Sequence, residues 1–265
     1  MAAFLFEFED QSWFPAALRN SMTDYLRYLF NTLNLYQPVT TLLADALRES
    51  GAERIVDLGA GGGGTIAQVQ QNLTIENGKT WPVLLTDIYP NVGAYTLLKA
   101  QSGNMIDFIA KPVNAANVPA HLVGLRTMFS AFHHLDKKQA RAVLQDAINA
   151  GQPIAVFDGG DRNVFVMIAI VIFHPILLFL FTPFFKPFRF SRILFTYIIP
   201  LIPFCTIWDG LISIMRLYTS AELLSLGEAT NGNYTWKAGR IRNRFGLGIN
   251  YLVGQRSSLL SSTQV

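Results

Sequence analysis

One stretch limits what this chain can fold into more than any other: Arg54-Ile-Val-Asp-Leu-Gly-Ala-Gly-Gly-Gly-Gly-Thr-Ile66. Ile55 and Val56 read as the end of a buried strand. Asp57 comes next, and glycines stand at 59, 61, 62, 63 and 64 before a helical run from Thr65 to Asn72. A strand that turns sharply into a helix leaves unpaired backbone N–H groups and the positive end of the helix dipole facing the turn. Glycine lets a ligand approach that backbone with no Cβ in the way. The stretch predicts an open α/β sheet with a nucleotide-like ligand at the carboxyl end of its first strand.

Gly59, Gly61 and Gly64 also fit the dinucleotide spacing G-x-G-x-x-G, a pattern of low specificity by itself. Two features point elsewhere. Asp57 stands two residues before the first glycine, where a carboxylate suits a cationic ligand better than a pyrophosphate. Some fifty largely helical residues precede the strand, whereas dinucleotide folds commonly open with it. Asp57-Leu-Gly-Ala-Gly-Gly-Gly63 resembles the first motif of class I S-adenosylmethionine (SAM)-dependent methyltransferases, with its acidic residue and glycines at 59, 61 and 63. The resemblance implies a doubly wound α/β fold with a seven-stranded, mostly parallel sheet, its last strand antiparallel, and SAM as cofactor. A nicotinamide-dependent oxidoreductase is the less favoured alternative.

Further along, a strand over 82–86 ends at Asp87, 24 residues after Gly63, where a carboxylate can take both hydroxyls of a ribose. After a strand over 106–110, Asn114-Ala115 stands where the family often has Asp-Ala for the adenine amino group. That is a departure, although an amide oxygen can accept the same bond. The resemblance thus implies Asp57 and the loop at Gly59, Gly61 and Gly63 for the amino-acid part of SAM, Asp87 for the ribose, and Asn114 and Ala115 for the adenine. A strand over 125–129 leads to Ser130-Ala-Phe-His-His-Leu135, and Phe-His-His-Leu resembles the fourth motif of small-molecule methyltransferases. Two adjacent histidines cannot both face one site. Either His133 or His134 is read as a general base near neutral pH, and the other as packed or solvated. With no Cys cluster and no His-Glu spacing nearby, no metal site is expected. A strand over 153–157 and a late hairpin over 233–239 and 248–254 complete the expected sheet.

Composition matters for what lies between those strands. The chain is 51% hydrophobic and 15% charged, below the ~25% charged usual for soluble domains. Residues 164–181 and 193–208 carry no formal charge, and the turn between them holds Lys186, Arg189 and Arg192. Each stretch approaches the ~20 residues that cross a bilayer. Pro175, Pro200 and Pro203 interrupt them, and a spanning hairpin would put the basic turn on the far side, against the positive-inside tendency. The expectation is a hairpin lying in or dipping into one leaflet, with its basic turn at the headgroups. A spanning hairpin, or burial in a dimer or over a hydrophobic pocket, are the alternatives. Residues 159–265 carry 10 Lys and Arg against 4 Asp and Glu, while residues 1–158 carry 11 against 14. A basic, greasy half fits an anionic membrane surface better than nucleic acid. The single cysteine, Cys205, excludes an internal disulfide and suits a reducing compartment. The first residues lack a secretory signal pattern, so residence on the cytoplasmic side is expected.

The organisation read from these features is a helical cap over 1–50 and a SAM-binding core over 51–162. Then come a hydrophobic insertion over 163–218, a completing helix and strands over 219–256, and a loose Ser-rich tail over 257–265. Arg19 in the cap, with Trp208 and Arg216 after the insertion, are candidate substrate contacts. Asp209 and Arg216 are seven residues apart and share a helix face, fit to hold a polar head group at the end of a greasy tunnel or to pair with each other. Asp209 is also an alternative base. The expected function is SAM-dependent methyl transfer to a lipid or other hydrophobic small molecule at the cytoplasmic membrane face. The rival is a non-catalytic SAM-binding or oligomeric membrane-associated protein of the same fold, and a homo-oligomer is left open.

Overall fold

Seven short apolar runs pair into one sheet. They are β1 (Ile55–Leu58), β2 (Val83–Thr86), β3 (Ile106–Phe108), β4 (Leu125–Phe129), β5 (Ile154–Gly159), β6 (Tyr234–Arg242) and β7 (Gly248–Arg256). The computed structural model describes residues 6–257; Phe4 and the Ser-rich tail from 258 lie outside the described residues. The strand order is β3-β2-β1-β4-β5-β7-β6, with β1 to β5 parallel and β7 antiparallel to both its neighbours. All four residues of β1 and all five of β4 are buried. Continuous burial, rather than alternation, marks strands covered on both faces. One face carries α2 (Val39–Ser50), α3 (Gly64–Asn77) and α4 (Val92–Gln101), packed through Leu43, Leu47, Val69 and Tyr95. The other carries α5 (Lys137–Asn149) and α9 (Ser220–Glu228), through Val143, Leu144 and Leu223. Reciprocal capping boxes start both of these helices, Asp136 with Gln139 and Thr219 with Glu222.

The chain leaves β1 for β2 on one side and has β4 on the other, so the strand order reverses at β1. A crevice opens there, above the carboxyl ends of the strands. Above it lies α1 (Ala16–Leu33), preceded by a strap over residues 6–15 that makes one 3₁₀ turn at Phe8–Asp10. The second helix of the expected cap, α2, lies instead in the sheet core, where Val39 and Leu43 are fully buried.

The insertion departs further from expectation. Its first apolar stretch is one helix, α6 (Val164–Phe181). The second is not: α7 (Phe190–Ile193) runs into one π-turn over Leu194–Ile198 and meets α8 (Leu201–Arg216) at a bend of 81°. Pro200 and Pro203, which lack the N–H groups a continuous helix needs, account for the break. Two of the three cations in the basic turn face inward. Arg192 is 1% exposed and pairs with fully buried Asp24 of α1, while Arg189 reaches the same carboxylate at 3.1 Å and Asn91 Oδ1 at 2.9 Å. Only Lys186 of the three is exposed. A buried carboxylate draws guanidinium groups inward because an unpaired charge there is too costly. The outer side of the insertion stays apolar. Phe165, Phe173, Leu180, Phe190, Ile198 and Phe204 are each more than half exposed.

Candidate active site

The glycine loop shapes the site from below. Gly59, Gly61 and Gly63 have φ of +65°, +54° and +72°, which other residues rarely adopt. Gly62 and Gly64 answer a different demand. A Cβ on Gly62 would lie 2.6 Å from the Thr23 carbonyl oxygen, and one on Gly64 would fall on Arg27 Cγ. These two glycines let α1 press against the loop. The extra glycines that blur the motif in the sequence are thus packing glycines.

Asp87, at the end of β2, accepts the Gly61 N–H at 2.8 Å through Oδ2 and the Tyr89 N–H at 2.7 Å through Oδ1. Both oxygens keep a lone pair for a further donor. Burial raises its pKa, opposed by those two bonds. Ser130, after β4, has φ +47° and is held by a hydrogen bond with Tyr36, whose hydroxyl also accepts the Gly159 N–H at 2.9 Å. A non-glycine residue held there marks a turn fixed by its surroundings.

A cavity of about 880 Å³ fills the crevice. Its wall includes Gly59, Gly61, Gly63, Asp87, Asn114, Ala115, His134, Arg19 and Arg216, so the structure brings these expected residues together. Asn114 is exposed, and its Oδ1 accepts the Ala116 N–H at 2.9 Å, a local turn that occupies one of its two lone pairs. Arg19 lies 3.9 Å over the Tyr89 ring and donates to the Glu9 carbonyl at 2.8 Å.

Four expected site residues are elsewhere. Asp57 lies beneath the loop, 2% exposed, and accepts Thr127 Oγ1–H at 2.6 Å. Burial pushes its pKa up to about 7, against that bond and with help from Asp87. His133 is buried against Asp158, Nδ1 to Oδ1 at 3.2 Å. Asp209 accepts the backbone N–H groups of Phe8 and Glu9 at 2.7 and 3.0 Å, and Trp208 Nε1 donates to the Phe6 carbonyl at 2.9 Å. Asp209 and Trp208 therefore hold the strap down. They do not form a head-group pocket, and no residue from 163 to 208 lines the cavity. Asp209 and Arg216 do not pair with each other: Arg216 meets Glu7 at 3.1 Å and Asp10 at 3.5 Å.

The strap is what sequence reading missed. Glu7, Glu9 and Asp10 converge on His134: Glu7 Oε2 lies 2.9 Å and Asp10 Oδ1 3.1 Å from Nδ1, and Glu9 Oε1 lies 3.5 Å from Nε2. Burial opposes charge on this imidazole, but Glu7 and Asp10 hold its pKa well above the ordinary value. Those carboxylates favour the protonated, donating form of the ring, so the expected base role does not follow from this geometry. Burial, opposed by His134, moves the Glu9 carboxyl up to about 8. The signal was present in Phe6-Glu-Phe-Glu-Asp10, where aromatic and acidic residues alternate.

No family model matches the sequence. No curated protein matches it either. Among solved structures, the pyocyanin biosynthetic protein PhzM is similar at 11% identity and TM-score 0.45, over 76% of this chain and 50% of that one. The methyltransferase domain of bacterial CtHen1-C is similar at 13% identity and TM-score 0.48, over 83% and 98%. Magnesium protoporphyrin IX methyltransferase from Synechocystis PCC 6803, with bound SAH, is similar at 12% identity and TM-score 0.44, over 84% of each chain. This chain spans half the length of the first of these. The seven-stranded, mostly parallel sheet with antiparallel β7 is the arrangement that the resemblance implied. The fold is that of class I methyltransferases.

Proposed function

We propose that this protein is a SAM-dependent methyltransferase acting on a hydrophobic small molecule or lipid at the cytoplasmic face of a membrane. The observation that carries the reading is the single cavity wall shared by the glycine loop, Asp87, Asn114-Ala115 and His134. The residues present fit the cofactor: Asp87 has free lone pairs for a ribose diol, and the loop glycines leave backbone within reach. When bound, SAM supplies a methyl group already activated on a sulfonium.

The protein's own residues then position and desolvate. Asp87 and the loop hold the ribose and amino-acid part, and the 113–116 turn flanks the adenine. Arg19 and the strap close the cavity from above, keeping water from the acceptor. His134, as a donor, orients an acceptor oxygen or nitrogen. The exposed apolar side of α6 and α7 supports membrane contact, and a lipid-like acceptor fits a protein seated there.

Calorimetric titration of SAM and S-adenosylhomocysteine tests the cofactor assignment. Asp87→Asn should weaken binding ~10–100-fold, the loss of about 1.5–3 kcal/mol for a hydrogen bond to a charged group. Unchanged affinity in a folded variant would remove the ribose role. SAM binding without transfer to any host fraction would favour the non-catalytic reading.

A further inference from the structure

Glu7 on the strap and His133 and His134 after β4 meet at the edge of the cavity. One donor atom of each lies within 4.8 Å of the others. Their surroundings are unusual in three respects.

First, His133 Nδ1 is taken by buried Asp158, which fixes the ring and leaves Nε2 as its free nitrogen. A carboxylate on the far nitrogen is how proteins orient an imidazole that binds a metal. Second, His134 Nδ1 is buried with two carboxylates at 2.9 and 3.1 Å, yet it makes no directed hydrogen bond with either. The oxygens that favour a proton on this nitrogen would equally share a metal cation with it, so binding an ion there displaces that proton. Third, oxygen ligands are plentiful. Glu7, Glu9, Asp10 and Asp209 crowd this corner, and Arg216 is the guanidinium in direct contact with Glu7 and Asp10.

We infer that Glu7, His133 and His134, with Asp10 at the rim, form a binding site for one divalent transition-metal ion. Two imidazoles with carboxylate favour zinc, cobalt, manganese or iron over magnesium or calcium, which prefer all-oxygen sites. The ion would staple the strap to the turn after β4 and so lock the roof of the cavity. Its ligands Glu7 and His134 also line the cavity. An ion there would face whatever occupies it and, on the methyltransferase reading, lower the pKa of an acceptor hydroxyl.

The test uses the full, untagged chain, treated with chelator and titrated with Co²⁺ while visible absorption is followed, then with Zn²⁺ in competition. The expected result is one Co²⁺ per chain with the spectrum of mixed nitrogen and oxygen ligands, displaced by Zn²⁺. Glu7→Gln and His133→Ala should abolish that spectrum, and Asp158→Asn should weaken binding ~10–100-fold. His121→Ala, away from the cluster, should leave it unchanged. Absence of stoichiometric Co²⁺ and Zn²⁺ binding to the wild-type chain overturns the inference, with no variant needed. Binding that survives both Glu7→Gln and His133→Ala does so too. Neither outcome depends on SAM or on an acceptor, so failure here is separate from failure of the methyl-transfer reading.

Discussion

Asp24 of α1 and Arg192 of α7 form an ion pair with both side chains buried, 0% and 1% exposed. It ties the apolar insertion to the helix that covers the candidate active site. Arg189 joins the same carboxylate, and Arg27 lies 3.5 Å from it. Removing the carboxylate leaves several guanidinium groups uncompensated. Asp24→Ala should cost about 3–5 kcal/mol in urea unfolding and expose the 182–200 segment to proteolysis. A loss below ~1 kcal/mol would mean the pair does not anchor the insertion.

The close approach of α1 to the glycine loop gives a positional test. Gly62→Ala sets a Cβ 2.6 Å from the Thr23 carbonyl oxygen, whereas a Cβ on Gly78 meets open space. The first should destabilise by about 1–3 kcal/mol through overpacking and lower SAM affinity by displacing the cap. Gly78→Ala, at φ +66°, should show only backbone strain and unaltered affinity. Equal effects on affinity would contradict the cap contact.

Asp57 makes stability depend on pH. Its folded pKa, about 7, lies above the unfolded value of a carboxyl. The folded state therefore binds the extra proton between those values, and stability falls as pH rises from ~4 through 7. Asp57→Asn keeps an oxygen for Thr127 Oγ1–H but cannot ionise. The variant should gain stability relative to wild type at pH 8 and lose that gain at pH 4. Parallel melting curves across that range would show that Asp57 ionises freely in the fold.

The outer apolar side of the insertion should bind lipid vesicles. Because Arg189 and Arg192 are spent on Asp24, binding should change little between low and moderate salt. Phe165→Glu with Ile198→Glu, at positions 78% and 72% exposed, should release the protein from vesicles with little change in melting temperature. Retained vesicle binding would place the membrane contact elsewhere on the chain.

Local chemistry made the sheet legible. Short apolar runs ending in Asp57, Asp87 and the turn at Ser130 marked β1, β2 and β4. Cap residues fix helix ends locally, Asp136 before α5 and Gly51, at φ +67°, after α2. Asp87 and the His133-His134 pair could be placed near the crevice because residues just past the carboxyl end of a parallel strand line its mouth, but not which of the two histidines faces it. Contacts between distant segments were not legible. Asp57 points into the sheet because Thr127 on the neighbouring strand takes its oxygen. Asp209 is spent on the strap's backbone, and Arg192 is drawn inward by a carboxylate 168 residues away. No local pattern carries those partners, and the alternating acids of the strap do not by themselves name His134 as theirs.

The most direct measurement is transfer of labelled methyl from SAM by the purified protein to host extract, split afterwards into organic and aqueous fractions. The expected result is label in the organic fraction, reduced at least ~10-fold by Asp87→Asn at limiting SAM. No label in either fraction, from protein shown to bind SAM, would contradict methyl transfer as the function of this fold.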